Sequence, residues 1–251
     1  MPHKYSRFTA PSKQKSIECL RGVGVIILAE EMGYRMKSYG PKCLIETKTG
    51  TILSDQIKTI QKVFHDPDIV LLTGFQADKI VKKSPKGIRI VENQLYQDTN
   101  SVEGLRLCFN NMSNNSILII SGDLIFNEHA LNSIANEGSC VIIDSKNRIS
   151  NDEIGVSTNN DRILNFAYGL DSIWCGIVFL QGKELQMAKN FCTRDNSKMC
   201  SFEMLNYVIN SGGKIRHIEP QNLNIAKISS VKDFHILRKN GEHSHSFKID
   251  R

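Results

Sequence analysis

No apolar run in this chain reaches the roughly 18 residues that crossing a bilayer requires. The N-terminal stretch MPHKYSRFTAPSKQKS also lacks the apolar core of a signal peptide. Both absences predict a cytoplasmic protein without a membrane span. The seven cysteines, Cys19, Cys43, Cys108, Cys140, Cys175, Cys192 and Cys200, are odd in number, scattered and never paired as C-x-x-C. That pattern argues against a disulfide framework or a zinc site and leaves free, mostly buried thiols. The seven histidines show no helical metal spacing, and His243 and His245 fall in a polar tail. Aromatic residues make up only 7% of the chain and form no stripe among the basic ones, which argues against nucleic acid as a partner. Internal repeats and low-complexity blocks are absent too.

What is present is an ordinary globular balance, 40% apolar and 23% charged, with a formal net charge of +6 that suits anionic ligands. Part of the excess lies in Lys4, Arg7, Lys13, Lys15 and Arg21. Residues 1–22 therefore read as a basic arm, either solvated or docking to a protein partner. Residues 23–238 read as one domain and 239–251 as a polar tail. Within the domain, short apolar runs alternate with amphipathic ones. The spacing predicts strands at Val23 to Ala29, Asp68 to Thr73, Gly87 to Val91 and Ser116 to Ser121. It predicts helices at Ile52 to Phe64, Gln76 to Lys83 and from about Ser101 to Asn110. The second half predicts strands at Ser139 to Asp144, Arg162 to Ala167, Ser172 to Leu180, Lys214 to Ile218 and Ile225 to Ile228, with a turn at Asn159-Asn160-Asp161. Helices are expected at Gly182 to Phe191, Ser201 to Asn210 and, capped by Ser229 or Ser230, Ser230 to Arg238. This rhythm is that of a three-layer αβα domain with a mostly parallel, mixed central sheet. In such sheets ligands bind beyond the carboxyl ends of the strands.

Two constellations fall on that rim. After the first strand come Gly33, Arg35 and Pro41-Lys42, a loop glycine and two cations suited to polyphosphate. After the fourth comes Gly122-Asp123, a carboxylate placed to hold Mg²⁺ against phosphate oxygens.

In order and spacing these residues resemble the nucleotidyltransferases that activate sugar phosphates and phosphocholine. The pattern of that family is a strand ending L-A-A-G-x-G-x-R, then P-K, V-x-G-Y, N-x-x-Y-x-x-x-N and a strand ending in an acid. This chain has Leu28-Ala29-Glu30-Glu31-Met32-Gly33-Tyr34-Arg35, Pro41-Lys42, Thr73-Gly74-Phe75, Asn93 to Asn100 with Tyr96 between, and Ser121-Gly122-Asp123. The likeness, strongest to the phosphocholine cytidylyltransferases, runs on through Cys175-Gly176, Phe202-Glu203 and Ile225 to Phe234. It implies a nucleotide-diphospho-sugar transferase-like fold. It also implies Mg²⁺-dependent transfer from a nucleoside triphosphate, CTP above all, to a phosphorylated small molecule, with release of pyrophosphate. Carried over position by position, Arg35 and Lys42 hold phosphates and Asp123 the metal. Leu28, Ala29, Gly33, Asn93, Thr99, Asn100, Ser101 and Gly122 line the nucleotide pocket. Glu203, Lys227 and Ser229 face the second substrate.

Two departures stand against that pattern. Glu30-Glu31 replaces a small residue and a glycine, and Ser229 and Lys227 stand where relatives often carry acids. A carboxylate about 4 Å from a phosphate charge costs on the order of 4 kcal/mol at an effective dielectric near 20. Three outcomes are open. Glu30 or Glu31 supplies the missing metal ligand, Lys227 replaces the metal's charge, or the chain is a catalytically degenerate binding or structural module of a larger assembly.

Overall fold

The structure, a computed structural model, describes residues 22–33, 36, 39–134, 137–146, 153–170 and 172–233. The basic arm up to residue 21, Arg35 and the polar tail lie outside the described residues.

β1 (Gly24–Ala29) has the sequence GVIILA, with no polar side chain. It pairs in parallel with β2 (Asp68–Thr73) on one side and with β4 (Ser116–Ser121) on the other. A strand with neighbours on both edges and layers on both faces has no water-facing side, so it reads as continuous apolar sequence. Between them, a short 3-10 helix (Lys42–Leu44) precedes α1 (Ile52–Val63). α1 starts at a reciprocal cap in which the Thr51 hydroxyl accepts from Ser54 N–H and the Ser54 hydroxyl accepts from Thr51 N–H. α2 (Ala77–Lys83), β3 (Arg89–Glu92) and α3 (Ser101–Phe109) complete the parallel half.

The second half contains β5 (Leu124–Phe126), α4 (Glu128–Asn132), β6 (Cys140–Asp144), β7 (Ile154–Asn159), β8 (Arg162–Tyr168) and β9 (Ser172–Gln181). It closes with α5 (Gly182–Phe191), α6 (Ser201–Asn210), β10 (Arg216–Ile218) and β11 (Ile225–Lys227). Among the described residues the main sheet has nine strands in the order β3-β2-β1-β4-β9-β6-β10-β8-β7. β9 inserts antiparallel between β4 and β6, so the sheet changes from parallel to mixed there. Alternate residues of β1 serve opposite faces, as a pleated strand requires. Val25 and Ile27 pack with Leu53, Ile57 and Ile60 of α1, Ile80 of α2 and Leu131 of α4. Ile26 packs with Val102 and Leu105 of α3, Leu185 of α5 and Met204 of α6. This is the three-layer mixed α/β domain anticipated from the sequence.

Four elements were not anticipated: the 3-10 helix at Lys42–Leu44, β5, α4 and β7. β5 and α4 are short, and β5 finds its partner, β11, about a hundred residues away, in a separate two-stranded antiparallel sheet. β7 joins β8 across the anticipated turn, where Asn160 takes a φ of 53°. Of the expected last helix only Val231 to Asp233 is described as helical. Its start is capped as foreseen, with Ser230 Oγ accepting from Asp233 N–H and the Asp233 carboxylate accepting from the N–H groups of Ser229 and Ser230. Among the described residues no helix is long and apolar enough to cross a membrane.

One polar side chain interrupts the buried stripe of α1. Gln56 is 2% exposed, and its Nε2 donates to the carbonyls of Ser121 (2.9 Å) and Leu124 (2.8 Å), clasping both arms of the β4–β5 corner. Gln56→Leu removes a donor from the carbonyls of Ser121 and Leu124, offset in part by removing the unpartnered Gln56 Oε1. It is expected to lower unfolding free energy by about 1–3 kcal/mol in urea titration. An unchanged midpoint and slope would show that the clasp contributes nothing.

Candidate active site

The ends of β1, β4 and β6, the start of β9, the first turns of α3 and α6, and β11 surround a cleft of about 760 Å³. Of the residues anticipated for the site, Leu28, Ala29, Glu30, Glu31, Lys42, Asn100, Ser101, Gly122, Asp123 and Lys227 are on its wall. Gly33, Asn93, Thr99, Glu203 and Ser229 are not among the lining residues. They make internal contacts instead. Asn93 Nδ2 donates to Glu30 Oε2 (2.7 Å) and to Thr99 Oγ1 (3.1 Å), while its Oδ1 accepts from Leu95 N–H. Glu203 accepts from Cys200 N–H at 2.7 Å and so caps α6. Ser229 N–H is held by Asp233.

The centre of the cleft is an ion pair. Lys42 Nζ lies 2.9 Å from Asp123 Oδ2, and both side chains are largely shielded from water. Pro41 sets the entry to the 3-10 helix that starts at Lys42. The lysine stem then passes over Gly33, where a Cβ would come within 2.6 Å of Lys42 Cε. Gly33 also has a φ of +57°, a conformation that favours glycine, and any side chain there would displace the lysine stem from its present path. Asp123 follows the buried β4, and its carbonyl accepts from Ile228 N–H at 3.0 Å. The β5–β11 register pairs Leu124 with Lys227 and thereby brings a second ammonium to Asp123. Burial opposes ionisation of Asp123, but the charges of Lys227 and Lys42 outweigh it and hold the carboxyl below its ordinary range.

The two departing glutamates take different environments. Glu31 is exposed on the cleft wall, and its charge acts on Glu30 and Cys200. Glu30 is 4% exposed, tucked against α3 where Gly104 leaves room; a Cβ on Gly104 would lie 2.5 Å from Glu30 Oε1. Oε2 takes the Asn93 hydrogen bond, whereas Oε1 is buried with no protein partner. Desolvation raises the Glu30 carboxyl to about 7 against the lowering effect of Asn93, and the charges of Glu31 and Glu103 add to the rise. The expectation that Glu30 turns to the metal position therefore needs correction: its carboxyl is committed to Asn93 beneath α3.

The antiparallel side of the cleft carries residues that sequence reasoning did not single out. Trp174, Tyr168 and Phe202 line it together with Asp144 and Glu219. Trp174 stacks edge-on against Phe166 and Tyr168 against Phe202. A register shift between Val141 and Ile143 of β6 and a positive φ at Gly176 break regular pairing beside Trp174, as bulges near binding sites commonly do. The lone tryptophan of the chain was a readable signal. The six cysteines among the described residues are free, and desolvation raises each thiol, Cys43, Cys140 and Cys192 to about 12. None is poised as a nucleophile.

The fold recurs in solved structures. The CTP:phosphocholine cytidylyltransferase of Streptococcus pneumoniae superposes with a TM-score of 0.70 at 20% identity, over 88% of this chain and 98% of the other. The chain has the nucleotidyltransferase fold. The same fold is seen in the inositol-1-phosphate CTP transferase of T. maritima, with a TM-score of 0.69 at 16% identity over 88% and 96% of the two chains. A nucleoside-diphosphate-sugar pyrophosphorylase of Vibrio cholerae gives 0.63 at 13% identity over 86% and 99%. No protein-family profile matches the sequence. No match is found among curated proteins.

The resemblance to nucleotidyltransferases implies Mg²⁺, and the donor set can be tested against it. Magnesium takes oxygen ligands, and one or two carboxylates with substrate phosphates suffice. Here Asp123 already holds Lys42 and feels Lys227, Glu30 is committed to Asn93, and Ser229 offers at most a hydroxyl. A dication about 4 Å from an ammonium is repelled by about 8 kcal/mol at an effective dielectric near 20. Among the described residues no group of three His, Cys, Asp and Glu side chains is placed to hold a metal. These residues do not fit a resident divalent cation.

Glu30 makes stability depend on pH in a definite direction. The unfolded carboxyl loses its proton near 4.5 and the folded one near 7, so within that window the fold retains a proton that the unfolded chain releases. Stability contributed below about pH 4.5 is therefore lost as pH rises to about 7, by on the order of 3 kcal/mol. Glu30→Gln is expected to flatten this decline in urea unfolding measured at pH 5 and pH 8. An equal decline in both proteins contradicts the assignment.

Proposed function

We propose that the protein transfers a nucleotidyl group, CMP from CTP, to a phosphorylated small molecule, releasing pyrophosphate. The observation that carries this reading is the composition of one cleft, with a Lys42–Asp123 centre on the parallel side and an aromatic, acidic wall on the antiparallel side. Its volume admits a nucleotide and a small acceptor together. The neighbours of like fold include enzymes named for CTP:phosphocholine and inositol-1-phosphate CTP transfer.

In the reaction a phosphate oxygen of the acceptor attacks the α-phosphorus. The new P–O bond forms as the α–β bridging P–O bond breaks, and pyrophosphate departs with that electron pair. Lys42 draws negative charge from the phosphates in a partly dehydrated site, where a fixed cation is worth more than in water. Asp123 aims the ammonium, and Leu28, Ala29, Asn100, Ser101 and Gly122 shape the nucleotide side. The charge conflict expected from Glu30-Glu31 is softened at both residues. Glu31 is exposed and screened by water, while Glu30 beneath α3 is a weakened acid, its carboxyl raised to about 7 by desolvation, and so carries less charge. On the acceptor side, Trp174, Tyr168 and Phe202 with Asp144 and Glu219 suit a cation such as the quaternary ammonium of phosphocholine better than a neutral sugar phosphate.

Pyrophosphate release with each of the four nucleoside triphosphates and a panel of phosphorylated acceptors tests the reading. CTP with phosphocholine is expected to turn over fastest, and Asp123→Ala to lower kcat/KM by about 100-fold or more. No turnover in any combination by the folded protein overturns it, in favour of a degenerate binding module.

A further inference from the structure

We propose that the groove between α2 and the 3-10 helix is a second ligand site, distinct from the cleft, for a small phosphate ester with a planar or apolar body. The site stands apart from the nucleotidyl-transfer reading and shares none of the residues that line the cleft.

α2 packs beside the 3-10 helix, and the two bound a groove of about 330 Å³. That is at the small end of ligand pockets and suits one compact organic phosphate. Its lining is of two unlike kinds. Tyr39, Pro41 and Leu44 offer ring and aliphatic surface, with Tyr39 half-exposed. Lys79, Lys82 and Lys83 come from one face of α2, as a spacing of three and four residues requires. Ile80 of the same helix is fully buried among α1 and β1 side chains and anchors α2 with its lysines outward.

Charge in the groove is of one sign. Among the described residues no acid lines it, and Asp78, in the first turn of α2, is exposed outside the lining. Like charges three and four residues apart on a helix disfavour one another. An anion among the three ammoniums relieves that repulsion, whereas a cation would add to it. A second observation is independent of the lysines. Gln76 also lines the groove, and its Oε1 is buried without a hydrogen-bond partner, in reach of Gly40. An acceptor left without a donor suits a ligand that carries an amino or hydroxyl group beside its phosphate.

The place of the groove has a consequence for the cleft. Pro41 and Leu44 bracket Lys42, and Leu44 N–H donates to the Pro41 carbonyl at 3.0 Å. An ester held against them therefore bears on the short helix that sets Lys42 against Asp123, without entering the cleft.

Amide NMR of the isotope-labelled full chain, titrated with 4-aminophenyl phosphate and separately with inorganic phosphate, tests the site. Amides of Gly40 and of residues 76–83 are expected to shift and saturate together, with inorganic phosphate weaker by about tenfold or more. The indole N–H of Trp174, the single tryptophan, reports the cleft separately. Replacing the three exposed lysines together, Lys79→Ser, Lys82→Ser and Lys83→Ser, is expected to weaken binding of the ester by about tenfold or more and to leave the Trp174 response as it was. Circular dichroism verifies that this variant is folded, and the titration of the unaltered protein decides the matter without it. Absence of shifts in α2, equal affinity for the two probes, or unchanged affinity in the folded triple variant overturns the proposal. Each of these results leaves nucleotidyl transfer in the cleft intact.

Discussion

Lys42 and Asp123 are 81 residues apart in the chain, yet their 2.9 Å contact governs where the rest of the rim can go. A buried carboxylate without a partner is costly, and so is an ammonium drawn out of water. Each is tolerated only because the other is held in reach. That condition explains several otherwise separate features. β1 and β4 lie side by side in parallel, so the loops that leave them start from the same edge. Gly33 lets the lysine stem pass. The 3-10 helix shortens the path from Pro41. The β5–β11 pair then brings Lys227 to the same rim, where its charge and that of Lys42 keep Asp123 ionised despite burial.

The glutamates show how a fold accommodates a residue that its own loop disfavors. Judged from the signature alone, an acid in place of a small residue should press on whatever phosphate enters. The structure moves that difficulty elsewhere. Glu30 descends beneath α3, where Gly104 takes the place of a side chain and Asn93 provides a donor. A glycine inside a helix sacrifices about 1 kcal/mol of propensity, so Gly104 and Glu30 are best understood as two halves of a single accommodation. The remaining unpaired Oε1 shows that the accommodation is incomplete.

Much of the parallel half was readable from the sequence because its signals are local. Val23 to Ala29 and Ser116 to Ser121 are short apolar runs, and Ile52 to Phe64 carries apolar residues at helical spacing. Lys42 and Asp123 followed from their places after strand ends. The antiparallel half was harder because its wall is assembled from β6, β8, β9 and the start of α6, none of which carries a continuous motif. Trp174 owes its place to an irregularity in pairing, which periodicity cannot foretell. Asn93 and Glu203 were anticipated as lining residues but serve as hydrogen-bonded supports, a distinction that residue type alone does not make. Gln56 was hidden for the opposite reason, being a polar residue at a position where helical spacing calls for an apolar one.

That glutamine has a bearing on motion. Its amide spans both arms of the corner that carries Asp123, so the corner cannot separate from α1 without breaking two buried hydrogen bonds at once. Backbone amides on either side should then exchange with solvent through one shared opening, as cooperative units do. The end of the cleft that carries Asp123 is thus tied to the packed layer of α1. A wall fixed in this way presents its polar groups in one arrangement, which limits the reorganisation that any ligand would require.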